Sequence, residues 1–259
     1  GEAEVTFGEA GTITVEDDAS NIGINIADGT KKTTVNGANI TLAGAGTGIN
    51  IEGTGNVTLK NTTITLSGAG TGIKYDGKTT KATAEISTGD MEVAQSGATG
   101  IDATMSKVAE STLTITTGII STGNAGATGI KITGAEVADS ETSIATVTTT
   151  LGATAGTGVE VTGKANNIIN VTLQDTQTPT SKTPISIAKG IDVTSNEEGG
   201  IINIDVKQSN LQVAKSGNLV NIGDVGGTTN VNINENVELA KDGNIVKAGN
   251  VSGTLNINL

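Results

Sequence analysis

Apolar residues in this chain alternate with polar ones in short runs and do not follow a helical spacing. In "TGINIEG" (47–53) Ile49 and Ile51 flank Asn50, and in "NVTLK" (56–60) Val57 and Leu59 flank Thr58. A period of two marks a strand with one buried face. Ile49, Ile51 and Leu59 are therefore expected inside, and Asn50, Thr58 and Lys60 outside. Thr, Val and Ile dominate these runs, and branching at Cβ suits a pleated surface better than a helix.

The first run returns along the whole chain. It appears as "NIGINIADG" at 21–29, "TGIKYDG" at 71–77, "TGIDATM" from 99, "TGIKITG" from 128, "TGVEVTG" from 157 and "KGIDVTS" from 189. Weaker copies follow as "GNLVNIG" from 217 and "GNIVKAG" from 243. The first inward residue of each copy is Ile24, Ile49, Ile73, Ile101, Ile130, Val159, Ile191, Val220 and Val246, in steps of 24 to 32 residues. A period of that size is the signature of a solenoid.

Each period holds two further runs. The second includes "VTL" (57–59), "LTI" (113–115) and "INIDV" (202–206). The third includes "ITL" (64–66), "MEV" (91–93), "LQV" (211–213) and "VEL" (237–239). A bend of constant length separates them: Val35 to Ile40, Leu59 to Ile64, Ile86 to Met91, Ile115 to Ile120 and Val206 to Leu211 are each five residues apart. One unit cannot bury its apolar face alone, whereas stacked copies enclose a column between three parallel sheets.

The expected fold is all-β: a right-handed parallel β-helix of about nine coils, with three strands per coil, over a single unit 1–259. A leucine-rich repeat lacks support, because its Leu ladder and fixed Asn are missing. A propeller needs a longer period. A left-handed β-helix needs coils of equal length, and here they drift by eight residues.

The glycines fit this frame. "AGAGTG" (43–48) resembles a dinucleotide fingerprint, but it recurs as "SGAGTG", "QSGATG", "NAGATG" and "TAGTG" and leads into strands. A nucleotide loop occurs once, between a strand and a helix. Gly48, Gly72, Gly100, Gly129, Gly158 and Gly190 are instead expected as turn glycines, required by positive φ or by close stacking of coils.

Composition removes most chemistry. The chain has no Cys, His, Trp or Arg, and carries 15 Lys against 27 Asp plus Glu, for a net charge of −12. That balance disfavours nucleic acid and anionic membrane surfaces. No apolar stretch is long enough to insert as a spanning helix. Without His, no Ser/His/Asp triad can form. The polysaccharide lyases and pectinases that share this architecture lead one to expect Arg or His beside their carboxylates, and neither type is present. The acidic pairs Asp17–Asp18 and Glu197–Glu198 read as solvated turn charges. Neither an EF-hand loop nor a "GGxGxD" calcium repeat occurs. No catalytic residue, cofactor or metal site is expected. The five Asn-x-Ser/Thr sequons are what an Asn- and Thr-rich chain yields by chance.

Binding is expected where turns lengthen, since loops on a rigid scaffold carry contacts. The loop after the first strand is five residues in "EGTGN" (52–56), nine in "TMSKVAEST" (104–112) and longest in "TGAEVADSETS" (133–143), which offers Glu136, Asp139 and Glu141. The five-residue bend also breaks once. Leu173 and Ile185 are twelve apart, through "QDTQTPTSKTP", which carries Gln174, Asp175, Lys182 and both prolines. Proline cannot donate to a ladder, so this segment is expected to leave the sheet.

The "TGIxVxG" markers, "SGNLVNIG" and "KDGNIVKAGN", in a Thr/Asn/Gly-rich chain without cysteine, resemble the passenger regions of large type V autotransporter adhesins, especially those of fusobacteria. The resemblance spans the whole chain. It implies a β-helical passenger segment excised from a longer protein, exposed at the bacterial outer membrane or secreted, with neither signal peptide nor translocator barrel included. It implies adherence to a host-cell surface protein or glycan, or to a partner bacterium, with neighbouring coils of the same chain as the other partner. No contact motif of that family transfers to residues here. A spacer stalk for a distal tip, a polysaccharide-active enzyme and a surface- or ice-binding solenoid are the other readings.

Overall fold

The computed structural model describes residues 2–6, 11–27, 32–53, 56–78, 81–137, 141–175 and 183–259. No helix occurs among them, and their strands pair in parallel as a β-solenoid of about nine turns. The nine marker residues form one unbroken ladder, from Ile24 opposite Ile49 through Ile73, Ile101, Ile130, Val159, Ile191 and Val220 to Val246. A second ladder runs Val5, Val35, Leu59, Ile86, Ile115, Val147, Val171, Ile204, Val231, Ile257. A third begins Ile13, Ile40, Ile64, Met91, Ile120, Leu151.

These ladders converge on one apolar column whose central members are fully buried. Each inward side chain sits on a like side chain about 4.8 Å below, so branched residues interlock along the axis. The large ring of Tyr75 is accommodated between Ile51 on one side and the small Ala103 on the other. Loss of one such side chain, as in Ile101→Ala, removes contacts to both neighbouring layers and belongs in the range of about 2–5 kcal/mol.

Three local features differ from the sequence expectation. The five-residue bend is not a separate turn in the central coils. Asn56–Leu66, Thr83–Val93 and Thr112–Thr122 each run through the corner as one strand, with register shifts at the bend. A bulge turns the strand while most of the ladder stays paired. The inner side of that corner is polar, and Thr117 Oγ1 meets Thr149 Oγ1 at 2.6 Å. The outer surface is also less uniformly polar than expected. Ile144, Ile168 and Ile201 stack in register on the outer face of the second sheet, and Ile119 is exposed on the third. Finally, Asn50 faces outward, yet its neighbours cover it: its amide bonds Asn25 Oδ1 at 2.8 Å and Glu52 at 3.2 Å, leaving it 6% exposed.

Candidate binding surface

The loops after the first strands form a built ridge. Residues 104–112 rest on the loop below, where Lys107 N donates to Lys78 O, and on the loop above, where Glu110 N donates to Thr142 O, both at 2.9 Å. Lys81 and Glu110 form an ion pair across the first of these steps. Ser143 Oγ donates to Val108 O at 2.8 Å, and Asn166 and Asn167 reach back to Val137 O and Ala135 O. Met105 and Ala135 join the buried column beneath the ridge, and Val137 is buried as well. Glu136 and Glu141 project from it, exposed. Glu136 lies near Lys164, whose ammonium is held above its ordinary value chiefly by the hydrogen bond to Glu197. Asp139 lies outside the described residues.

Gln174 and Asp175 lie at the other end of the second strand, so the structure does not bring them to Glu136 and Glu141. Gln174 presents an exposed side chain, and its carbonyl accepts from Thr150 Oγ1 at 2.5 Å. Asp175 is engaged: its Oδ2 accepts from Ser209 N at 3.3 Å and from Ser209 Oγ at 2.9 Å, which fixes the bend of the next coil. Lys182 and Pro179 lie outside the described residues.

The interrupted bend leaves a gap that another residue fills. The register of Ser143–Gly163 with Ile185–Asn196 begins only at the Thr154–Ile187 pair, three residues past Leu151, so among the described residues no strand of the next coil is paired with Leu151. The carboxamide of Gln208, from two coils along, takes that place. Its Oε1 accepts from Leu151 N at 2.7 Å and its Nε2 donates to Leu151 O at 2.6 Å. Gln208 is fully buried, a side chain acting as a surrogate peptide group.

The six marker glycines lie within strands and not in the turns, Gly48, Gly72, Gly100 and Gly129 as second residues and Gly158 and Gly190 in the interior of longer strands, and none has positive φ. Close stacking is what requires them. A methyl group at Gly129 would fall 2.6 Å from Gly158 O and would also strike Ile120; the same clash with the next coil's carbonyl occurs from Gly48 to Gly190. Their role is to let successive coils stack closely.

A surface that the sequence reading passed over lies on the outer face of the second sheet. Asn170, Asn203, Asn230 and Asn256 occupy one register position in successive coils. Each Nδ2 donates to the Oδ1 of the coil before it, at 2.8 Å in all three steps. Outside this row run Thr172, Asp205, Asn232 and Asn258, and together they line an open groove of about 520 Å³. The signal was present as "IINV", "IINI", "TTNV" and "TLNI". An Asn at an outward strand position reads as ordinary solvated surface until the register is known.

Elsewhere the charges are dispersed. Glu52 is held below its ordinary value first by the Lys78 hydrogen bond and then by Asn50, and Glu110 by Lys81. Among the described residues, no group of three or more Asp or Glu side chains converges as a metal site, and no helix is long and apolar enough to cross a membrane. No family model matches the chain, and neither does any curated protein or solved structure.

Proposed function

We propose that this chain is a non-catalytic adhesive segment of a bacterial surface protein, binding a host-cell protein or glycan or a neighbouring bacterium. The observation that carries the reading is the ridge formed by the described parts of three loops, 77–78 with 81–83, 104–112, and 133–137 with 141–143: they are hydrogen-bonded to one another and have Met105, Ala135 and Val137 buried beneath them. Unselected insertions would have no reason to interlock across three coils. The resemblance to autotransporter passengers agrees with it, and so does a side-chain repertoire without His, Cys or Arg. Placement outside the cell, at the outer membrane or released from it, belongs to the same proposal.

A spacer reading is favoured by the unbroken nine-layer ladder, since a stiff column serves to hold something else at a distance. Binding of the purified segment to epithelial cells, immune cells and other bacteria separates the two. A variant with the 133–143 loop cut to the length of 52–56 runs beside it. Adhesion by the intact segment and its loss in the trimmed one supports the ridge. No adhesion by either, while a longer parent protein adheres, leaves the segment as a spacer.

A further inference from the structure

The geometry points to a second binding face, separate from the ridge: the amide groove on the outer face of the second sheet, as a site for an extended, uncharged glycan. Each carboxamide has two N–H donors and two acceptor lone pairs. In the ladder Asn203 and Asn230 each spend one donor on the coil before and one lone pair on the coil after. The donor used is the one anti to the carbonyl, because only that N–H lies along the stacking axis. The donor and lone pair that remain sit side by side on the amide edge facing away from Cβ, toward solvent. A row of adjacent donor–acceptor edges at about 4.8 Å spacing is thus held in place without further ordering cost.

A sugar hydroxyl is likewise both donor and acceptor, so neighbouring hydroxyls on a ring match such an edge. The ring's C–H face needs apolar contact, and the row beside the amides supplies it: Ile168 and Ile201 stand in register one outward position before Asn170 and Asn203. At the next two coils this position is Thr228 and Thr254, bordered by the glycine corners Gly199–Gly200, Gly226–Gly227 and Gly253. Those corners carry no side chain, so a chain lying along the axis meets no obstruction there.

Charge selects against other polymers. The protein is strongly acidic overall, yet the carboxylate in this groove, Asp205, is already bound by Lys207 at 2.5 Å and Asn234 at 2.8 Å. An anionic glycan would face net repulsion, and a cationic one would find no unpaired charge here. The sole tyrosine, Tyr75, is buried in the core, so no tyrosine ring supplies stacking at this surface. Affinity must then accumulate over several coils, which favours an oligosaccharide over a single sugar.

The test uses the whole segment with β-linked oligomers of glucose, galactose and N-acetylglucosamine, from disaccharide to hexasaccharide. Binding is followed by calorimetry and by the side-chain amide NMR signals of asparagine. Affinity is expected to rise with length, and the Asn203 and Asn230 amide signals to shift. Asn203→Thr with Asn230→Thr should weaken binding roughly tenfold or more, while the three ladder hydrogen bonds it removes lower the melting temperature by only a few degrees and leave the segment folded. Threonine already occupies this row as Thr58, Thr114 and Thr146, so the variant keeps a strand-compatible residue. No shift with any oligomer at millimolar concentration, or equal binding by the double variant, overturns the proposal. Glycan binding without cell adhesion would sink the ridge reading and keep this one; adhesion lost with the ridge, with no oligomer bound, would do the reverse.

Discussion

Replacing Gln208 by leucine tests whether a side chain holds the column together at its one interrupted bend. Leucine has nearly the volume of glutamine and suits a buried site, so packing is largely kept. What disappears is the pair of hydrogen bonds to Leu151 N and O, at 2.7 and 2.6 Å. Both partners are backbone groups inside the protein, where water does not reach them: Gln208 and Leu151 are each 0% exposed. An orphaned buried donor or acceptor costs about 1–3 kcal/mol, so the pair is worth roughly 2–6 kcal/mol. For a chain of this length the unfolding entropy is about 0.5 kcal/mol per kelvin near the midpoint, which converts the loss to a fall of roughly 4–11 °C in Tm. Gln208→Glu should fall at least as far, because a carboxylate cannot donate to Leu151 O and buries charge. Gln212→Leu is the control: its amide bonds Glu238 at the surface, and the change should stay within about 0.5 kcal/mol. Calorimetry or thermal circular dichroism reads all three. A Gln208→Leu protein melting within a degree of wild type would show that Leu151 finds other partners, and the surrogate-peptide account would fail.

Three further outcomes follow from the geometry. Gly129→Ala should cost about 2–3 kcal/mol or more, because its methyl strikes Gly158 O and Ile120, whereas Gly97→Ala, at φ +81 with only Ala69 Cβ nearby at 3.7 Å, should cost about 1–2 kcal/mol for the left-handed backbone alone; equal losses in denaturant titrations would refute the stacking role. Glu52 has a lowered pKa in the folded state, so its contribution is present above the unfolded value and lost as pH falls through the folded one; the Tm gap between wild type and Glu52→Gln should be small at neutral pH and close as the pH drops below the ordinary carboxylate range, and a gap that widens in acid contradicts the Lys78 pairing. Burial, and then Asp76, pushes the Tyr75 hydroxyl up to about 12, so ultraviolet titration should show no phenolate in the folded protein near pH 10. A raised pKa means stability is full below the unfolded value of about 10 and is lost as pH climbs toward 12, which pH-dependent melting would show.

The sequence by itself determined the column. Alternation fixed which face of each strand is buried, and the recurring marker fixed the register, because a slip by one residue would turn Ile49, Ile73 and Ile101 out into water. The nine aligned marker residues needed nothing further.

Tertiary structure decided what the coils do to one another. The marker glycines read as turn residues because the clash that requires them is with a carbonyl 24 to 32 residues away, which no local pattern displays. Gln208 looked like any polar residue after a strand; its role exists only because Leu151, 57 residues earlier, lacks a partner. Asp175 read as a contact residue, and stacking made it a brace for Ser209. The asparagines of the second sheet are unremarkable one at a time. Set in one row at the coil spacing, each uses half its hydrogen-bonding capacity on its neighbours and presents the other half outward, and that division is a property of the stack.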